Sequence, residues 1–218
     1  MAERDGSKLG GTIAEGPMIR SLLHQIVARP WVYDTAQTIV GAKQVRARLA
    51  ARIAPVRNAR LVLDIGGGTG SVGGLWSDSS RYICLDIDPQ KLRGFIAKNP
   101  TGIALLGDAT RIPVATAAVD IVLCTNVTHH LPDEALRLMI AECARVLAPG
   151  GRLILSDAIW APQRRVGRMI WHYDRGSFPR TAEVLRNAVS THLTIESWDQ
   201  FAIWHEYFIC VASRKEAE

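Results

Sequence analysis

Three aspartates stand at matching places in this chain, each just past a short apolar run: Asp64 after Leu61–Leu63, Asp86 after Tyr82–Leu85 and Asp108 after Gly102–Leu106. An ionised carboxylate accepts hydrogen bonds and donates none, so one held at a strand's end can take both hydroxyls of a vicinal diol. The first acid is followed by Gly66-Gly67-Gly68-Thr69-Gly70. Glycines there let backbone approach a ligand with no Cβ in the way. A second group of residues suits proton transfer: His129 and His130 together, then His172, with Tyr173 and Asp174 beside it, and His205. An imidazole titrates near neutrality and can remove the proton of a phenol, enol or amine. No His/Cys arrangement has metal-ligand spacing, so no metal is expected.

Strands alternating with helices must position these groups. The run Leu61–Ile65 reads as a buried parallel strand that breaks into a tight turn, with a helix beyond it. Further strands are expected at Arg81–Asp86, Gly102–Leu106, Val119–Cys124 and Arg152–Ser156. Between them, helices are expected from Pro89 to Lys98 and from Asp133, the latter carrying Leu136, Met139, Ile140, Cys143 and Leu147 on one stripe before Ala148-Pro149-Gly150-Gly151 stops it. Asp88, just before Pro89, reads as a helix cap. This rhythm gives an α/β fold with a doubly wound, mostly parallel sheet. The runs Thr194–Phe201 and Glu206–Ser213 are too close together for a crossover, so they form a C-terminal hairpin with at least one antiparallel strand. In such sheets ligands bind at the carboxyl edge of the strands, where the three aspartates fall.

The 218 residues suit one core, with residues 1–17 a flexible tail and residues 18–218 a single domain. Cys84, Cys124, Cys143 and Cys210 fall in apolar settings and pair with no neighbour at disulfide or zinc spacing, which fits reduced thiols in a cytoplasmic enzyme. No stretch is long enough to span a bilayer, and the first residues lack a secretory apolar core. The net charge is +5, and its only dense basic cluster, Gln163-Arg164-Arg165-Val166-Gly167-Arg168, reads as a solvated helix face. Nucleic acid is therefore a secondary partner class, resting on the basic balance alone.

Taken in order, Leu63-Asp64-Ile-Gly66-Gly-Gly68-Thr-Gly70, Cys84-Leu-Asp86-Ile-Asp88-Pro89, Gly107-Asp108-Ala109, Asn126-Val-Thr-His129-His130-Leu131 and Arg145-Val-Leu-Ala-Pro149-Gly150-Gly151 resemble the class I S-adenosylmethionine-dependent methyltransferases. The likeness points to their small-molecule branch, related to ubiquinone and menaquinone C-methyltransferases, and covers about Leu61 to Asp157. It implies a three-layer Rossmann-like sheet of seven strands, with S-adenosyl-L-methionine as cofactor and S-adenosyl-L-homocysteine as product. By the same likeness Asp64 and the backbone of Gly66, Gly67 and Gly68 hold the methionine end. Asp86 takes the ribose hydroxyls and Ile87 packs on the adenine. Asp108 accepts the adenine amino group, the Ala109 backbone reads a ring nitrogen, and Asn126 and Val127 line the sulfonium end.

The implied reaction is direct displacement onto oxygen, nitrogen or activated carbon of a small acceptor, an aromatic or quinone-like metabolite. His129, His130 and His172 are the candidate bases. A lid of N-terminal helices (18–56) and an insert (158–190) would form the acceptor wall, with Trp31, Tyr33, Trp171, Tyr173 and Arg175. Alternatives are an RNA or protein methyltransferase, a non-catalytic cofactor-binding module, and an NAD(P)-dependent oxidoreductase. The last rests on Gly68-Thr-Gly70-Ser-Val-Gly73, which satisfies G-x-G-x-x-G but starts two residues late and leaves Asp64 and Asp108 without a role.

Overall fold

Five apolar runs, too short for helices and flanked by glycine, proline and aspartate, become the parallel strands of one sheet in this computed structural model, which describes residues 42–173 and 178–215. The side chains of residues 42, 170 and 173 fall outside that description. The chain divides between Ala42 and Lys43. The elements of the second unit, with the helix that leads into it, are α1 (Ala42–Ile53), β1 (Leu61–Ile65), β2 (Arg81–Asp86), α2 (Pro89–Lys98), β3 (Ile103–Leu106), β4 (Val119–Thr125), α3 (Asp133–Val146), β5 (Leu147–Ile159), α4 (Arg165–Tyr173), α5 (Ala182–His192), β6 (Leu193–Ala202) and β7 (Glu206–Arg214).

The seven strands lie in the order β3-β2-β1-β4-β5-β7-β6. Only β7 runs against its neighbours, pairing antiparallel with both β5 and β6. The chain reverses its direction of winding between β1 and β4, which pair in parallel, and this switch point opens a crevice at their carboxyl ends. Alternating strand residues feed two cores. On one side Leu63 and Ile65 meet α3 and α5 through Leu136, Met139, Ile140, Leu185 and Val189. On the other Val62, Ile121 and Leu123 meet α1 and α2 through Leu49, Ile53, Leu92 and Phe95. The expected three-layer α/β sheet is therefore the observed one. Asp88 caps α2 by accepting from the Gln90 amide at 2.7 Å.

Two expectations differ. No α-helix follows the glycine turn; the link to β2 holds only a 3-10 turn at Gly73–Leu75. Gly73 and Gly74 and the run Ser77-Asp78-Ser79-Ser80 favour turns over helix, and no apolar stripe is available to reward one. Leu147, expected on the α3 stripe, instead opens β5, because it pairs with Val119 ahead of a register shift in β4. The N-terminal tail, most of the 18–56 segment, Trp31, Tyr33 and Arg175 lie outside the described residues. No helix among the described residues is long and apolar enough to cross a membrane.

Gly70 is the tightest joint of this scaffold. Its φ is +75°, and a Cβ there would lie 2.5 Å from the Phe95 ring, a fully buried side chain. Gly70→Ala should destabilise the protein by about 2–4 kcal/mol, from left-handed strain plus overpacking. Urea unfolding measures this, and a loss below about 0.5 kcal/mol would mean the turn can relax.

Candidate functional site

The glycine turn folds back onto β2 through its own amides. The Gly66 and Gly67 N–H groups donate to the Leu85 carbonyl at 2.7 and 3.3 Å. The Gly68 N–H donates to Asp86 Oδ2 at 3.0 Å, and the Gly70 N–H to the Gly67 carbonyl. Gly66, at φ +64°, is also where Val127 presses in: a Cβ would lie 2.4 Å from Val127 Cγ2. The β1 and β4 loops therefore touch, and glycine is required at that contact.

Asp64 points beneath this turn. It is fully buried. A Cβ on Gly67 would meet its Oδ2 at 2.6 Å. The Tyr82 hydroxyl donates to Oδ2, while Oδ1 has no hydrogen-bond partner among the described residues. Burial pushes the carboxyl up to about 7; the Tyr82 hydrogen bond pulls it down and the Asp86 charge pushes it up. Burial likewise raises Cys84 to about 12, with the charges of Asp64 and Asp86 adding to it, so this thiol is inert.

Asp86 ends β2 almost buried. Its Oδ1 accepts from the Asp88 N–H at 2.9 Å and its Oδ2 from Gly68, so each oxygen has taken one amide and keeps a further lone pair. Lys91 Nζ lies 4.0 Å from Oδ2. The next residue, Ile87, is 73% exposed, an aliphatic surface held beside a carboxylate at the crevice rim. Asp108 is exposed, and its Oδ1 accepts from the Thr110 N–H at 2.8 Å. The segment after Ala109 is braced from α3: the Ile112 N–H donates to Glu142, and Arg145 donates to the Ile112 and Val114 carbonyls.

Beyond β4, Asn126 adopts φ +56° and its N–H donates to the Ser156 carbonyl at 2.9 Å. The 3-10 turn Thr128–His130 follows. Its first amides converge on Asp157, a fully buried acid near the end of β5. Asp157 Oδ2 accepts from the Thr128 N–H at 2.7 Å, the Thr128 hydroxyl at 2.6 Å and the His129 N–H at 3.3 Å. Oδ1 accepts from the Ala158 N–H at 2.8 Å and lies 2.6 Å from His129 Nδ1. Burial alone would raise this carboxyl. The hydrogen bond and charge of His129, with the Thr128 and Ala158 donors, outweigh it and hold Asp157 below the usual range.

The His129 ring lies 4.1 Å, centroid to centroid, from His130 and 5.8 Å from Trp171 of α4; Trp171 in turn lies 5.1 Å from His205. His129, Trp171 and His205 are buried, whereas His130 and His172 are exposed. The structure thus gathers His129, His130 and Trp171, with His172 on the exposed side of α4. Tyr173 ends α4, its side chain being outside the description. Sequence reasoning missed Asp157, Tyr82 and Arg180. Asp157 carried a readable signal, an acid late in a fifth apolar strand. Tyr82 and Arg180 carried none. Among the described residues no His/Cys/Asp/Glu group could hold a metal ion.

Residues 63–155 match a family described as a methyltransferase domain. An uncharacterised methyltransferase of Mycobacteroides abscessus is 37% identical over 109 residues, which is 46% of this chain and 40% of that protein. The chain thus spans about two fifths of the length of the curated relatives it matches. The N-methyltransferase NodS of Bradyrhizobium japonicum superposes with a TM-score of 0.66 at 16% identity, covering 80% of this chain and 97% of that one. A geranyl diphosphate methyltransferase solved with GPP and sinefungin has a TM-score of 0.66 at 12% identity over 79% and 78% of the two chains. These structural likenesses establish the fold, a Rossmann-like α/β sheet.

The raised Asp64 carboxyl predicts a pH dependence of stability. The folded state holds a proton that the unfolded chain gives up near pH 3.8, so the contribution is full below that pH and is lost as pH rises through about 7. Asp64→Asn should flatten the fall in unfolding free energy between pH 5 and 8, as read from urea melts. An identical slope in variant and parent would show that Asp64 ionises normally.

Proposed function

We propose that the crevice at the carboxyl ends of β1, β2 and β4 binds S-adenosylmethionine and that the protein transfers its methyl group to a small acceptor. The observation that carries this reading is the fate of the glycine-turn amides. A pyrophosphate needs backbone N–H groups aimed outward at a helix N-terminus. Here the Gly66, Gly67 and Gly68 amides are spent on Leu85 and Asp86, and no α-helix follows. The turn is built for a ligand without phosphates, and the dinucleotide alternative loses its binding element.

The rim suits an adenosine bearing a cationic amino acid. Asp86 takes the ribose hydroxyls on its remaining lone pairs, and Ile87 supplies the flat apolar contact for the adenine. Asp108 accepts the exocyclic amino group with its outer oxygen, and the Ala109 backbone reads a ring nitrogen. Asp64, whose Oδ1 lacks a donor, and the carbonyl side of Gly66–Gly68 favour an ammonium. Asn126 and Val127 line the sulfonium end. When bound, the cofactor supplies a methyl group already attached to a good leaving group.

The chain's own contribution is then alignment and, for a protic acceptor, proton removal. His129 is the better placed base. Asp157 stays ionised and receives the Nδ1–H, which fixes the tautomer and directs the basic lone pair to Nε2; the same carboxylate stabilises the imidazolium once a proton arrives. His130, its ring tilted against that of His129, is the second candidate, and His172 the third. Trp171 gives the acceptor side an aromatic ring edge beside His129, which suits a ring-shaped small molecule.

Calorimetry tests the cofactor. S-adenosylmethionine and S-adenosylhomocysteine should bind, and NADH should not. Asp86→Ala should weaken binding roughly 10- to 100-fold, since a hydrogen bond to a charged group contributes about 1.5–3 kcal/mol. NADH binding, or unchanged affinity in Asp86→Ala, would defeat the assignment. With an acceptor found in a metabolite panel, His129→Gln should lower turnover about 10²- to 10⁴-fold at unchanged cofactor affinity; full activity would make the imidazole structural.

A further inference from the structure

The segment between β5 and α5 begins and ends on the turn that carries His129. Just before its start, at the end of β5, Asp157 binds the front of the turn, as described above. At its end, Arg180 binds the back. The Arg180 side chain is almost buried. Its Nη1 donates to the Thr128 carbonyl at 2.8 Å and its Nη2 to the Leu131 carbonyl at 2.6 Å. Nε and Nη2 reach Asp133 Oδ1 at 2.8 and 2.6 Å. The backbone adds to this: the Phe178 N–H donates to the His129 carbonyl at 3.0 Å, and the Trp160 N–H to the Arg180 carbonyl at 2.7 Å.

We propose that Arg180 is a positioning residue for His129, through which the acceptor-side segment and the base-bearing turn hold one another in place. The turn's N–H groups face an anion and its carbonyls face a cation, so both ends of a short dipole are closed by charges of the matching sign. A planar guanidinium can reach two carbonyls and a carboxylate together; a single ammonium on a flexible stem cannot hold that fork. Burying this charge for stability alone would be a poor solution, because a well-packed apolar side chain commonly does as well. What the charge adds is a fixed position. Without it the turn keeps its Asp157 end and the single Phe178 amide bond, too little to hold the imidazole in one orientation against Asp157.

This inference rests on reading His129 as the base, and its test does not need the acceptor. In protein labelled with ¹⁵N-histidine, two-bond proton–nitrogen correlation reports the tautomer of each imidazole, and loss of a signal in His129→Gln assigns His129. The parent protein should show His129 with its proton on Nδ1. Arg180→Ala should convert it to a broadened mixture of tautomers, while S-adenosylhomocysteine affinity stays within a factor of two. Added guanidinium, at millimolar concentrations, should restore the parent pattern; sodium chloride at equal ionic strength should not. An unchanged His129 signal in folded Arg180→Ala would overturn the proposal, as would a change that guanidinium fails to reverse. Should that variant fail to fold, Arg180→Lys takes its place: the same change in His129 supports the proposal and the parent pattern contradicts it. Absence of S-adenosylhomocysteine binding by the parent protein would remove the cofactor reading instead, and leaves the His129 response to decide the role of Arg180.

Discussion

Carboxylates buried at one edge of a sheet constrain everything built around them. A buried charge costs several kcal/mol unless it is met by donors, and the loops beyond the strands are shaped to meet it. Asp86 draws in the Gly68 and Asp88 amides, which bends the glycine turn onto β2. Asp157 draws in the amides of Thr128 and His129, which forms the turn beyond β4. Among the described residues Asp64 receives only a tyrosine hydroxyl, and burial then raises its carboxyl toward neutrality. The first two acids are solved by backbone and the third is left half-answered, which is where a cationic ligand group would find its complement.

On the proposed reading, the consequence for function is a division of labour along the rim. The β1–β2 end offers acceptors and an exposed aliphatic residue, a set suited to an uncharged nucleoside with an ammonium tail. The β4–β5 end offers imidazoles and an aromatic wall against a fixed carboxylate. Gly66 and Val127 join the two ends, since the loops meet there in van der Waals contact. A displacement reaction needs its partners aligned across such a joint more than it needs a strong acid or base. The 63–155 match to a methyltransferase domain falls on the first end and the joint, and stops two residues short of Asp157.

Much of the scaffold was legible because its signals are local. Apolar runs ending in Asp64 and Asp86, Asp88 ahead of Pro89, and the close spacing of the last two runs each specify an element through one physical rule. The helix expected after Gly70 failed for an equally local reason, since Gly73, Gly74 and the serine-rich stretch that follows favour turns. What remained hidden is what depends on distant pairing. Tyr82 reads as an ordinary strand residue until β2 lies beside β1, and Arg180 as one arginine among many until the chain returns to the Thr128–His130 turn. Asp157 lies between these cases: its place near a strand's end is visible, but its partner is 28 residues away.

The most direct measurement is a crystal structure of the protein grown with S-adenosylhomocysteine. The account predicts the ribose on the Asp86 carboxylate, the adenine against Ile87, and the homocysteine amino group beside Asp64, with the Gly66 and Gly67 amides still bonded to Leu85. A nucleoside bound elsewhere, or a glycine turn that releases those amides to face the ligand, would contradict it.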